Sequence, residues 1–260
     1  MNNKDNKEFL LKAEQAFKAL FKKAKETDEL HFAFSLSPEF RPYKINTALD
    51  AQNAFKDYYD FLHNNDKSPI HVRIALAFYC HIAEASGFWE IPKNLLCIIE
   101  GNKYNLIPFG DLVKKYGDKE GSILPSANKV MRSLMKYSQK MGFHDLAEVF
   151  KDAFDPDIRN GYALADYALL NEGVCVGSRY GKERIINWDE FNLLLHKAVN
   201  FYMVFIGVLQ ENLSYYDPPK VIKGVLSDRE GEPEGTWEIS YKADGTFVIK
   251  GGAGYVPGQG

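Results

Sequence analysis

Between Asp189 and Leu213 the apolar residues Phe191, Leu194, Leu195, Ala198, Val199, Tyr202, Phe205, Ile206 and Leu209 recur at helical spacing. A helix this apolar has little surface left for water. It must be covered by other helices or by a second copy, so its aromatic content reads as core or dimer face rather than cofactor box. Asn187 or Asp189 supplies the N-cap.

The upstream sequence provides the cover. Lys4 to Glu26 is amphipathic, with Phe9, Leu10, Ala13, Phe17, Leu20 and Phe21 on one side. Lys12, Lys18, Lys22, Lys23 and Lys25 lie on the other, either as a solvated face or as a phosphate-tracking patch. Ser35 to Pro42 breaks the pattern as a loop. Thr47 to Asn64 is helical again. Ser68 caps a core helix from Ile70 to Gly87, with Pro69 at its first position. Further helices are expected over Ile91 to Ile99, Phe109 to Tyr116, Ser126 to Met141 and His144 to Phe150. The period then changes. Ala168 to Val176 reads as strand, turn and strand with Glu172-Gly173 at the turn. Ser178 to Arg184 is a polar turn, and Arg184 to Trp188 a third extended piece. Asp217-Pro218-Pro219 closes the helical part. Trp237 to Tyr241 and Thr246 to Ile249 alternate around Asp244-Gly245 as a hairpin, which needs helices or a partner to pack against. Gly251 to Gly260 is expected to fray or to bind across a dimer.

The fold class that follows is mainly α, a helical bundle with a small β insertion and a C-terminal β hairpin. The expected division is a helical domain over 1–226, with the insertion at about 168–188, and a hairpin with a flexible tail over 227–260. With net charge -3 and pI about 6.1, there is no global basic field, so any nucleic-acid contact must be local. Cys80, Cys97 and Cys175 stand apart, without metal or redox spacing, and read as packing residues in a reduced compartment. The N-terminus lacks an apolar signal core, and no apolar run reaches the ~20 residues of a membrane span. The expectation is a soluble cytoplasmic protein with no membrane partner. No Gly-rich phosphate loop, zinc spacing or nucleophile elbow occurs, so no cofactor and no metal are expected.

One stretch carries polar chemistry on a short helix, Phe154 to Tyr167. Asp155 is a good N-cap, Pro156 suits the first turn, and Asp157 favours the helix dipole. The helix is expected to run to about Leu169. At ~100° per residue it would align Arg159, Tyr162, Ala163 and Asp166 on one stripe, with Asn160, Leu164 and Tyr167 beside it. On the core helix His81 and Glu84 are three residues apart: a structural pair, a site element or a weak metal fragment.

The sequence Arg159-Asn160, followed by Asp166-Tyr167, resembles the HEPN superfamily (higher eukaryotes and prokaryotes nucleotide-binding domain). Its signature is Arg, commonly with Asn after it, then His four to six residues on. Leu164 stands at that His position here. The family's metal-independent ribonucleases need the imidazole for proton transfer and the guanidinium for the phosphate's charge. The resemblance therefore implies a ribonuclease-like protein of toxin or phage-defence type, inactive in this copy because of Leu164. It also leaves a non-catalytic module binding RNA, a nucleotide or a protein, and a purely structural helical interaction protein. It implies site residues Glu84, Arg159, Asn160, Leu164, Asp166 and Tyr167, with Glu84 pairing Arg159. It further implies a two-fold homodimer, RNA or a nucleotide as ligand, and an antitoxin protein as partner.

Overall fold

The computed structural model describes residues 3–37, 47–64, 68–115, 122–177, 183–227 and 231–257. The chain is mainly helical, with two small three-stranded antiparallel sheets. In order, the elements are α1 (Asn3–Thr27), α2 (Glu29–Ser35), α3 (Thr47–Asn64), α4 (Pro69–Glu84) and α5 (Ser86–Ile99). They continue with a two-residue hairpin, β1 (Lys114–Lys115) and β2 (Ser122–Ile123), then α6 (Ala127–Lys140), α7 (His144–Ala153) and α8 (Pro156–Ala163). β3 (Tyr167–Leu169), β4 (Gly173–Val176) and β5 (Arg184–Asn187) form the insertion, followed by α9 (Trp188–Ser214). β6 (Lys220–Gly224), β7 (Gly235–Tyr241) and β8 (Phe247–Gly252) close the chain.

α9 is the central helix and packs against α1, α4 and α7. Its Phe201 and Phe205 are fully buried, as are Phe17, Phe21, Trp89 and Phe150 from its neighbours. The rings meet edge-on or tilted rather than face to face. Phe17 and Phe205 have centroids 5.3 Å apart, and so do Trp89 and Phe201. Such geometry sets the positive ring edge of one residue against the negative face of the next. By length and composition α9 is also apolar enough to cross a membrane, although polar residues such as His196, Lys197 and Asn200 interrupt any continuous apolar run. In this fold α1, α4 and α7 cover one side of it, and Met203 on the other side is half exposed.

Several expected boundaries shift for identifiable reasons. α2 was not expected, yet Asp28 caps it by accepting from the His31 amide at 3.0 Å, and Phe32 and Phe34 are buried. The core helix ends at Glu84 rather than Gly87, because Ala85 leaves helical geometry (φ -67, ψ 59). α5 then begins at Ser86 and contains Pro92 in its interior. Burial of Phe88 and Trp89 holds that first turn, and the Trp89 indole donates back to the Ile82 carbonyl at 3.1 Å. The helix expected from Phe109 is instead a 3-10 turn, Gly110–Leu112, leading into β1. Tyr116, residues 38–42 of the expected loop, 178–182 of the polar turn and 258–260 of the tail lie outside the described residues.

The C-terminal hairpin gains a third strand, since β6 pairs with β7 from Lys220↔Ile239 to Gly224↔Gly235. It does pack on the helices. Ile239 is fully buried, and the Trp237 and Phe34 rings lie 5.3 Å apart, edge to face. The Tyr241 amide also donates to the Tyr216 carbonyl at 3.0 Å. Gly251 and Gly252 belong to β8, and Tyr255 donates to Glu238 at 3.2 Å, so these residues are not frayed.

The motif helix stops at Ala163, six residues early. The Asp166 amide donates to Gly161 O at 2.7 Å and the Ala165 amide to Tyr162 O at 3.0 Å, with Ala165 at φ 53. That is a Schellman stop, in which the left-handed residue is normally glycine. Alanine there hid the stop in the sequence and carries a steric strain of ~1 kcal/mol. Ala165→Gly should therefore stabilise the protein by roughly 0.5–1 kcal/mol. Urea unfolding of the two proteins measures this, and an unchanged or lowered midpoint would show that the turn does not form.

Candidate functional site around Arg159

α8 is held in place at its first turn. Asp155 accepts from the amides of Asp157 at 2.9 Å and Ile158 at 3.2 Å, as a capping carboxylate should. The Asp155 amide donates to the buried hydroxyl of Tyr79 on α4. Arg184 at the start of β5 then draws three carboxylates together. It reaches Asp155 at 2.7 Å, Asp157 at 3.2 Å and Glu190 on α9 at 2.6 Å. The insertion sheet thereby clamps α8 to α9. On the other side Gly161 lets α8 approach β4 closely, because a Cβ there would lie 2.8 Å from Val176 Cγ1.

This frame presents Arg159 and Asn160. Arg159 Nε donates to Glu84 Oε1 at 2.6 Å, and Nη2 donates to the same oxygen. Nη1 donates to Asn160 Oδ1 at 3.1 Å. Asn160 Oδ1 also accepts from Asn128 Nδ2 on α6 at 2.9 Å. A continuous polar chain, Glu84–Arg159–Asn160–Asn128, thus ties α4, α8 and α6 together. The Arg159 side chain keeps 18% of its surface and that of Glu84 45%, so the chain lies at the surface rather than inside the core. Cys80 Sγ sits 3.7 Å from the Arg159 carbonyl. Burial pushes its thiol up to about 12, against the pull of the nearby guanidinium, so it stays protonated and unreactive.

The expected site residues therefore divide. Glu84, Arg159 and Asn160 meet, and the pairing of Arg159 with Glu84 is observed. Asp166 does not continue the Arg159 stripe, nor Tyr167 the Asn160 stripe, because the helix has ended before them, and Leu164 is its C-cap. Leu164 caps α8 with 62% of its surface exposed. The Asp166 carbonyl accepts from the Gly177 amide at 3.0 Å, and its carboxylate lies against Gly177. Tyr167 opens β3, with its ring 5.9 Å from that of Tyr162. Burial, with Tyr167 adding to it, raises the Tyr162 hydroxyl above the usual phenol range, so it remains neutral. His81 and Glu84 are not a pair: His81 Nε2 lies 2.8 Å from the Ala51 carbonyl, while Glu84 turns to Arg159. Among the described residues no group of three His, Cys, Asp or Glu side chains converges to hold a metal.

Asn128 and Arg184 were not anticipated. Asn128 is an ordinary second residue of a helix and carries no sequence signal. Arg184 is surrounded by acids only after folding, since Asp155 and Asp157 lie 29 and 27 residues away. Cavities of about 850 Å³ between α3, α4 and α9, and about 840 Å³ beside the C-terminal sheet, lie elsewhere; neither is lined by Arg159 or Asn160.

The Arg159–Glu84 pair is half in water, so its contribution to stability is expected to be small. A double-mutant cycle on Arg159→Gln and Glu84→Gln should give a coupling of ~0.5–1 kcal/mol in urea unfolding, reduced at high salt. A coupling of zero would mean that the pair adds nothing to stability in water.

Compared with family models, curated proteins and solved structures, the chain matches none of them.

Proposed function

We propose that this chain is a HEPN-like, RNA-binding protein of the ribonuclease, toxin or phage-defence kind that has no working acid–base group in this copy. The observation that carries the reading is the presentation of Arg159. Its guanidinium is fixed by Glu84 and Asn160 at the surface, in the Arg-Asn pair that the resemblance singles out. A fork held in one orientation meets a phosphate's two oxygens with little loss of side-chain entropy. Glu84 occupies that fork in the free protein and would have to yield to the incoming phosphate. Leu164, at the position where the family pattern has His, offers nothing that can move a proton.

The reading predicts binding without cleavage. The protein should bind a short single-stranded RNA in fluorescence anisotropy and leave it intact in EDTA. Arg159→Ala should weaken binding about tenfold, roughly the 1.4 kcal/mol of one charged contact. Glu84→Gln should tighten it severalfold, because the competing carboxylate is gone. Leu164 is exposed, so Leu164→His should fold normally and is expected to cleave RNA without metal. No RNA binding by the parent, together with no cleavage by a folded Leu164→His protein, would sink the reading.

A homodimer belongs to the same reading, with Arg159 of both chains near a two-fold axis. Leu164 lies beside that helix with 62% of its surface exposed and would be covered in such a dimer. Sedimentation equilibrium should then give twice the chain mass, and Leu164→Asp should shift it toward the monomer.

A further inference from the structure

We infer that the outer face of α6, with Lys93 of α5, is a track for the phosphate backbone of a single-stranded nucleic acid leading to Arg159. This rests on the proposed RNA-binding reading and names the face the strand would follow. α6 is sharply divided. Ala127, Val130, Met131, Leu134 and Ser138 are buried, while Lys129, Arg132, Lys136 and Lys140 follow one another at spacings of three and four along the outside. With Lys93, Ser133, Tyr137 and Leu112 they line a groove of about 380 Å³.

What sets this groove apart is how few of its cations are answered. Glu100 takes Lys140 and the Tyr137 hydroxyl, and Asp111 lies on the neighbouring 3-10 turn. Among the described residues Lys93, Lys129, Arg132 and Lys136 make no ion pair. Lys93 sits 4.1 Å over the Tyr137 ring, and Arg132 Nε only donates to the Asn128 carbonyl at 3.2 Å. The lysines of α1, the other basic helix face, behave differently. Lys12 pairs with Glu148, Lys18 with Glu14 at 2.8 Å, Lys22 with Glu26 at 3.9 Å, and Lys25 lies over the Tyr215 ring at 2.7 Å. Among the described residues Lys7 and Lys23 of α1 make no ion pair, so α1 is salt-bridged at Lys12, Lys18 and Lys22 rather than throughout. α6 holds like charges one turn apart, which weakens a helix unless an anion lies along it.

The direction of the track follows from the bonds at its end. Arg132 bonds to the Asn128 backbone, the Asn128 side chain to Asn160, and Asn160 to Arg159. The stripe from Lys129 to Lys140 covers ~16 Å, long for a free nucleotide and suited to several phosphates in a row. Lys93 occupies a face of Tyr137, so the contacts here are to charge rather than to bases, and binding should tolerate any sequence.

Anisotropy of a labelled 12-nucleotide RNA, and of the same sequence as DNA, tests this. Four unpaired cations predict a fall of log affinity with log salt of slope about -3. Lys129→Gln and Lys136→Gln, both at exposed positions, should each weaken binding three- to tenfold at 100 mM salt and reduce the slope by roughly 0.7. Lys22→Gln on α1 should change nothing. Unchanged affinity in both α6 variants, or a loss as large in Lys22→Gln, would overturn the track. Arg159→Ala separates the two proposals. If it alone weakens binding, the Arg159 reading stands and the track fails. If only the α6 variants weaken it, the groove binds polyanions and the Arg159 reading fails. Equal binding of DNA and RNA is the expected outcome for a site that reads phosphate alone; a strong RNA preference in the α6 variants and parent alike would place recognition elsewhere.

Discussion

Removal of the α9 aromatic face from water is the constraint on which the remaining structure depends. Phe201 and Phe205 cannot be covered by one neighbour, so α1, α5 and α7 each contribute rings to them, with α4 packed alongside. Each such aromatic side chain removes ~150–250 Å² from water, and offset or edge-on contacts add to that burial. Once those helices are fixed around α9, the positions of α8 and the insertion sheet follow. α8 lies across α4 because the α7–α8 junction is anchored through Tyr79, whose hydroxyl donates to Ala153 O at 3.2 Å. Polar chemistry enters only at this outer layer, where the core has already set the backbone.

The surface layer is tied down by two guanidinium groups with different jobs. Arg184 serves three carboxylates on two helices and is a clamp, through two bonds from Nη1 and one from Nη2. Arg159 is bound on one side by a half-exposed carboxylate and on the other by an amide. Displacing an exposed carboxylate costs little, because its ion pair is already weakened by water. Under the proposed reading an anionic ligand would displace the single carboxylate of Glu84 from Arg159, whereas at Arg184 it would have to displace three and loosen the start of α8.

Much of this was legible beforehand where the signal is local. Ser68 and Asp155 are legible as caps, and Asn187 as one of two candidates with Asp189; Ser68, Asp155 and Asn187 each accept the amide hydrogen bond of a cap. The Asp-Gly turn, the insertion strands and the span of α3 follow equally from spacing. Legibility ended where tertiary contact overrides local preference. Pro92 looks like a helix start, yet buried Phe88 and Trp89 extend α5 upstream of it. Ala165 adopts a conformation that favours glycine, and so concealed the end of α8. Strand β6 carries no turn signal linking it to a partner beginning fifteen residues on, and the third strand went unread. At the site, the Glu84–Arg159 pair was anticipated. Asn128 was not, because an amide on an amphipathic helix is unremarkable until the facing helix supplies its partner. The basic stripe of α6 is present in the spacing from Lys129 to Lys140, but the longer lysine run of α1 carries the same signal, and only the folded structure separates them.

The early stop of α8 also bears on the missing proton-transfer group. Position 164 is the C-cap, so its side chain leaves the fold from a turn at the negative end of the helix dipole. An imidazole there would have its cationic form favoured by ~0.3–1 kcal/mol, which lifts its pKa by less than ~1 unit. That keeps it close to neutrality, where a group both holds a proton and releases it readily. Leucine at the same point gives up nothing in stability, because the position is exposed and makes only a backbone bond, its amide to Asn160 O at 2.9 Å. Under the proposed reading, anion contact and proton transfer would fall to different parts of α8: Arg159 is set by Glu84 and Asn160, and position 164 is one exposed side chain on the cap.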